Sequence, residues 1–149
     1  MNIGKNVGRM DVALSASCDT TSGYLTNNDK KKKRAGMKLT YSPSKKQGYT
    51  LSGDFLDENY GLAGPRDYPT PYSRVKSQIA AVALLARIEG ITSRTFFTRG
   101  RRRNSDISKG LDQTLITRKA GQELDSSIQL GRLGGLDFGA GFTWDKASG

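Results

Sequence analysis

The chain contains no histidine, a single cysteine (Cys18) and four prolines among 149 residues. Without histidine it lacks the commonest general base and the commonest transition-metal ligand. One cysteine cannot close an internal disulfide, and no zinc-site spacing can be built around it; Cys18 reads as a stray loop thiol. Long apolar runs are also missing. The longest, Ile79–Ala86, falls far short of the roughly 18 residues that mark a spanning helix. Hydrophobic residues make up 35% of the chain and the mean hydropathy is −0.58, so a helical membrane protein is excluded. A membrane barrel is not, because only alternate strand residues face lipid. There is no GxSxG, Walker, HExxH or strand-borne Rossmann fingerprint. Pairs such as Asp54 and Asp57 fit lumen or loop charges better than a catalytic dyad. No catalytic residue, metal or cofactor is expected, and the chain reads as a non-enzyme.

What the chain does have is alternation. Seven segments, at about 10–17, 34–42, 49–57, 74–86, 91–99, 114–130 and 135–145, alternate apolar with polar residues, the period-two mark of strands. The last is the cleanest: Leu136, Phe138, Ala140, Phe142 and Trp144 fall on one face, with Asp137, Gly139, Gly141, Thr143 and Asp145 on the other. Early in the chain, Met10, Val12, Leu14 and Ala16 oppose Asp11, Ala13, Ser15 and Ser17. Likewise Ala35, Met37, Leu39 and Tyr41 oppose Gly36, Lys38, Thr40 and Ser42. Residues 74–88 are ambiguous. Their Ala, Leu and Arg are good helix formers and the alternation breaks at Ile79–Val82; strand neighbours and a following turn favour a strand. A single such strand also suits a soluble antiparallel sheet with one buried face.

The connections are sorted by length. Pro43–Gly48, Arg87–Gly90 and Gly131–Gly134 are short; 18–33, 58–73 and 100–113 are long and polar. Short turns at one end and long loops at the other are the rhythm of an outer-membrane barrel. The expectation is an all-β, antiparallel, up-and-down transmembrane β-barrel segment. About seven strands is an odd number where single-chain bacterial barrels are even, so the segment would belong to a larger barrel. An open sheet edge is untenable in hydrocarbon. Residues Met1–Met10 carry no apolar h-region, and an exported protein needs a leader, so the chain is expected to lie inside a longer one.

Net charge is +10 and the sequence pI about 9.9, which invites an anionic partner. Two runs concentrate it, Lys30–Arg34 and Arg99–Arg103, both at the long-loop end. Lys31, Lys32 and Lys33 would face lipopolysaccharide phosphates, and Arg101, Arg102 and Arg103 an anionic ligand. Solvated loops without a specific role are the plainer reading. Nucleic acid is the other candidate partner, and the disfavoured one. An RNA-binding sheet stacks bases on aromatics of its charged face, whereas Tyr41, Tyr49, Phe55, Phe138, Phe142 and Trp144 fall on the apolar face. The segment Tyr60–Tyr72 holds three tyrosines, an arginine and three prolines. Tyrosine gives rigid contact area at low entropy cost, so Tyr60, Arg66, Tyr68 and Tyr72 are the ligand-contact candidates there. Trp144 and Tyr41 are the candidates for membrane-interface aromatics.

Several stretches resemble, in order, the N-terminal part of the β-barrel of TonB-dependent outer-membrane receptors. Gly8–Ser17 is similar to that family's first barrel strand after the plug. Ser22-Gly23-Tyr24 with Asn27-Asn28-Asp29 resembles its "dGY..NND" loop, and Leu39–Pro43 its next strand and turn. Asp57–Pro65 resembles its "D..YGLPGP" loop, with Ala63 where the family usually has proline. Leu133–Asp145 is similar to a strand that often reads "..l.lGvdy..d". The plug, TonB box and terminal aromatic strand have no counterpart here. The resemblance implies energised uptake of a metal chelate such as a ferric siderophore or cobalamin. It also implies a plug domain, TonB reached through that plug, outer-membrane lipid and further barrel strands as partners, in a Gram-negative outer membrane. The full barrel of such transporters has about 22 strands. The alternatives are a small basic soluble β-domain that binds nucleic acid and a smaller porin-like barrel.

Overall fold

The computed structural model describes residues 1–23, 27–63, 72–129 and 135–149. They form one eight-stranded antiparallel sheet in which every strand pairs with its neighbours in sequence. The strands are β1 (Asn2–Val7), β2 (Met10–Thr21), β3 (Lys30–Ser44), β4 (Gln47–Gly61), β5 (Ser73–Ile88), β6 (Ile91–Asp106), β7 (Leu111–Gln129) and β8 (Gly135–Ser148). The sheet is all-β and up-and-down, as expected, and it is open: β1 and β8 are its edges. Among the described residues there is no α-helix, and no helix long and apolar enough to cross a membrane.

The structure differs from the sequence reading in three respects. An additional strand, β1, pairs with β2 from Asn2↔Ser15 to Val7↔Met10. The sequence does not mark it as a strand, because Gly4 and Lys5 dilute the alternation. Every anticipated strand also runs further than its alternation marks. The run Lys30–Arg34 lies on β3 and Arg99–Arg103 on β6, so neither is a loop. Where both faces turn polar, the period-two signal vanishes although backbone pairing continues. Finally, the anticipated long loop 100–113 shrinks to a single 3₁₀ turn, Ile107–Lys109, closed by Gly110 at φ 63°. The ambiguous segment 74–88 is strand throughout.

Turn chemistry accounts for two of the other hairpins. Glu89 and Gly90 both have positive φ, 49° and 92°, the signature of a two-residue type I′ turn matched to strand twist. Pro43 sits at an irregularity in the β3–β4 register, between Tyr41 and Ser44, where a missing N–H is tolerated.

The described residues form no second layer. Val75, 1% exposed, is the buried hydrophobic side chain among the described residues. Leu14, Val82, Leu84, Phe97, Phe138 and Phe142 are all exposed. A monomer in water seldom leaves a contiguous apolar patch of more than a few hundred Å² uncovered.

Candidate functional site: an oblique apolar band with a basic border

Residues directly opposite on antiparallel strands share a face, and alternate residues switch face. The register therefore sorts the whole sheet. One face carries Met10, Val12, Leu14 and Ala16 of β2 with Tyr41, Leu39, Met37 and Ala35 of β3. Opposite them on β4 lie Tyr49, Leu51, Gly53 and Phe55, and on β5 Ala86, Leu84, Val82 and Ala80. Ile88 pairs Ile91, and Val82 pairs Phe97. Leu124, Ala120 and Ile128 of β7 meet Ala140, Trp144 and Leu136 of β8. Lys5 on β1 and the group Ser93, Thr95, Gln122 and Ser126 on β6 and β7 interrupt this band. The opposite face is polar, with Asp11, Lys38, Thr40, Asp54, Arg94, Glu123 and Asp125 among its members.

The band crosses the sheet obliquely. On β3 and β4 it runs from Tyr41 and Tyr49 up to Ala35 and Phe55. The same two rows reach β8 at Ala140 and Lys146, yet on β8 the band runs from Leu136 to Trp144. Its lower border has dropped four residues and its upper border two, so the band widens from seven residues to nine while its centre slides by three residues towards the short turns over the four strands from β4 to β8. At about 3.3 Å per residue and about 4.8 Å per strand this is an inclination of roughly 27°. Tyr41 and Trp144 stand at opposite borders of the band. The ring of Tyr41 stacks beside that of Tyr49 at 6.4 Å between centroids.

Above the upper border the same face turns basic. Lys146, Arg118 and Arg99 occupy one row across β8, β7 and β6. Arg101 and Arg103 follow along β6, with Lys76 opposite Arg103. Lys33 and Lys31 continue the border on β3, opposite Asp57 and Asn59. Lys76, Gln78, Arg101 and Arg103 line a recess of about 110 Å³. Arg103 is held there by Asp112, to which its Nε donates at 2.7 Å. Gln78 Nε2 donates to Asp57 at 3.2 Å.

The anticipated contact residues are thereby split between faces. Arg101, Arg103, Lys31 and Lys33 share the apolar face. Arg102 and Lys32 lie on the polar one, where Arg102 Nε donates to Asn104 at 3.2 Å. Tyr60 is also on the polar face, beneath Lys30, whose Nζ is 5.7 Å from the ring centre and 2.7 Å from Glu58 Oε1. Tyr72 is exposed just before β5. Arg66 and Tyr68 lie outside the described residues. Arg99, Arg118, Lys76 and Lys146 were not anticipated as a group. Only the register reveals that four strands bring them together.

At the same end, the segment after β2 is tied down. Arg74 donates to Asp29 and Asn59, and Asn27 Nδ2 donates to the carbonyls of Leu62 and Ser73 at 3.2 and 2.6 Å. Gly61 lets this happen: a Cβ there would lie 2.2 Å from the Asn27 carbonyl oxygen. The Arg74 hydrogen bonds hold the Asp29 carboxyl below the ordinary carboxylate value. Among the described residues no group of three or more His, Cys, Asp or Glu could hold a metal. No family model, curated protein or solved structure matches the chain.

Proposed function

We propose that this sheet is a section of the wall of an outer-membrane β-barrel, and that the whole protein is a TonB-dependent receptor taking up a metal chelate such as a ferric siderophore or cobalamin. The observation that carries the wall reading is the oblique apolar band. A soluble sandwich buries a patch against a second sheet, with no reason for it to slide along the strands. A membrane requires a band level with the bilayer, and strands tilted by about 35–45° must then cross it obliquely. The band's slant has the order of that tilt. Its length of seven to nine residues per strand is near the roughly 9–11 that span the hydrocarbon. Tyr41 and Trp144 would sit in the two interfacial girdles.

In this reading the polar face lines the lumen, the short turns are periplasmic, and the basic end lies outside the cell among lipopolysaccharide. The open edges at β1 and β8 pair with further strands, since unpaired edges are untenable in lipid. The transport reading itself rests on the ordered motif resemblance. In that reading Tyr60, Arg66, Tyr68 and Tyr72 are the residues that meet an incoming ligand, and Arg102 shares the lumen side with Tyr60. Sequencing the flanking DNA tests it. In-frame codons for a plug upstream and for about fourteen more alternating strands downstream support a receptor. A start and a stop bracketing these codons alone would contradict it.

One observation favours a second reading, nucleic-acid binding by a basic soluble β-domain. Phe55, Phe97 and Trp144 share a face with the cations. They lie below the basic border, however, rather than interleaved with it as a stacking platform requires. Salt-sensitive RNA binding by a water-soluble monomer would establish that reading instead.

A further inference from the structure

Like charges placed directly opposite on neighbouring strands destabilise a sheet. Lys146, Arg118 and Arg99 are nonetheless placed in one row over three consecutive strands, and Lys76 is opposite Arg103. Among the described residues, Arg99, Arg101, Arg118, Lys76 and Lys146 have no carboxylate within 4.0 Å. Among the described residues the carboxylate bound within this group is Asp112, on Arg103, and it leaves the repulsion along the row Arg99, Arg118 and Lys146 and beside Lys76 unanswered. An external anion would answer it.

The position of the patch narrows which anion. It lies on the apolar face, next to the border marked by Phe97, Ala120 and Trp144. It does not lie on the polar face, where a solute in a lumen would pass. A ligand filling it would have its charge on the arginines and its body on exposed hydrocarbon. Arg102, inside the same run, points to the other face and takes no part.

We propose that Arg99, Arg101, Arg103, Lys76, Arg118 and Lys146 form a binding site for the phosphate of a lipid head group whose acyl chains lie on the apolar band. The recess between Lys76, Gln78, Arg101 and Arg103 has about 110 Å³, the space of about four waters, which suits the four oxygens of one phosphate. Asp112 and Gln78 act there as positioning residues. The Arg103–Asp112 pair uses Nε and Nη2, which leaves Nη1 to reach the recess. The row Arg99, Arg118 and Lys146 then lies at the level where glycerol or sugar phosphates meet the acyl region. The site rests on the membrane-wall reading given above.

The test uses the full chain added to vesicles of phosphatidylcholine alone or phosphatidylcholine with phosphatidic acid, with Trp144 fluorescence as the binding signal. Association with the neutral vesicles tests the wall reading; preference for the anionic ones tests the site. Each cation near an anionic surface contributes about five-fold in affinity. The pair Lys76→Gln with Arg101→Gln is thus expected to lose about 25-fold towards phosphatidic acid vesicles and nothing towards neutral ones. The charge-matched pair Lys45→Gln with Lys46→Gln, at the short-turn end, should lose less than about two-fold, because screened charges act only within a Debye length of about 10 Å. Arg118→Gln should resist unfolding better than the parent in neutral lipid and bind phosphatidic acid vesicles less tightly, a crossover that a purely structural residue does not produce. Equal losses from both pairs would overturn the site in favour of diffuse charge. Displacement by inorganic phosphate as effective as by phosphatidic acid would show a free-phosphate site. RNA displacing the vesicles would assign the patch to nucleic acid. Failure to bind either vesicle would remove the wall reading and the site together.

Discussion

Arg74 grips Asp29 with both ends of its guanidinium, Nη1 donating to Oδ1 at 3.1 Å and Nη2 to Oδ2 at 2.8 Å, across 45 positions of sequence. The pair fastens the segment after β2 to the start of β5, at the end of the sheet that carries the basic border. Its bidentate geometry is the strong form of a carboxylate–guanidinium contact. Because the carboxyl is held below its ordinary value, the pair's contribution is complete above the ordinary carboxylate range and is lost as pH falls through the lowered folded value. The protection of the amides at residues 27–29, taken relative to intrinsic exchange at each pH, should therefore fall on acidification. In Asp29→Asn that protection should be low already at neutral pH and no longer change with acid.

A second prediction concerns Gly121, which lies opposite Phe96. A Cβ there would come within 2.6 Å of the Phe96 ring and 2.7 Å of the Phe142 carbonyl oxygen. Gly121→Ala should cost about 1–3 kcal/mol in a urea titration of the folded protein. Adding Phe96→Leu should recover part of the loss, because the ring is the movable one of the two obstacles.

The 3₁₀ turn after β6 supplies a third. Asp106, 4% exposed, accepts from the Ser108 amide at 3.1 Å and from the hydroxyls of Ser108 and Ser73. These bonds, Ser108 first, hold its carboxyl below the ordinary value. Asp106→Ala strands the capped amide and should loosen the β6–β7 turn, seen as faster proteolysis near Ile107. Asp106→Asn, which keeps an acceptor, should be milder. The carboxylate's contribution is present above the ordinary carboxylate range and is lost as pH falls through the lowered value.

The faces of β5 give the fourth. Leu84 stands on the apolar band and Ala83 beside it on the polar face. On the lipid side of a barrel an arginine near the midplane costs about 2–4 kcal/mol. Leu84→Arg should lose that much in lipid-based unfolding, and Ala83→Arg much less.

How much of this was legible beforehand differs by feature. Strand identity and face were legible wherever one face is apolar, as in Leu136, Phe138, Ala140, Phe142 and Trp144 of β8. Strand ends were not, because Lys31–Lys33 and Arg101–Arg103 are polar on both faces and read as loops. Turn chemistry found the Glu89-Gly90 hairpin within four residues. The basic patch was hidden for a different reason: Arg99, Arg118, Lys76 and Lys146 are scattered in sequence, and only register unites them. Register in turn depends on turn lengths, such as the compact turn Ile107–Gly110, that composition does not disclose. The run Arg101–Arg103, read as one site, is divided by the pleat into two.

The most direct test of the membrane-wall account is an accessibility scan along β5 in the full-length protein in its native membrane. Cys18 is first replaced by serine, and single cysteines are placed from Ile79 to Ile88. The account predicts a period of two. Cysteines at positions 80, 82, 84 and 86 should resist a membrane-impermeant maleimide and be reached by a lipid-soluble one, while those at 79, 81, 83 and 85 should react with the water-soluble reagent. Uniform reaction on both faces, or protection of the apolar face in a water-soluble monomer, would contradict it.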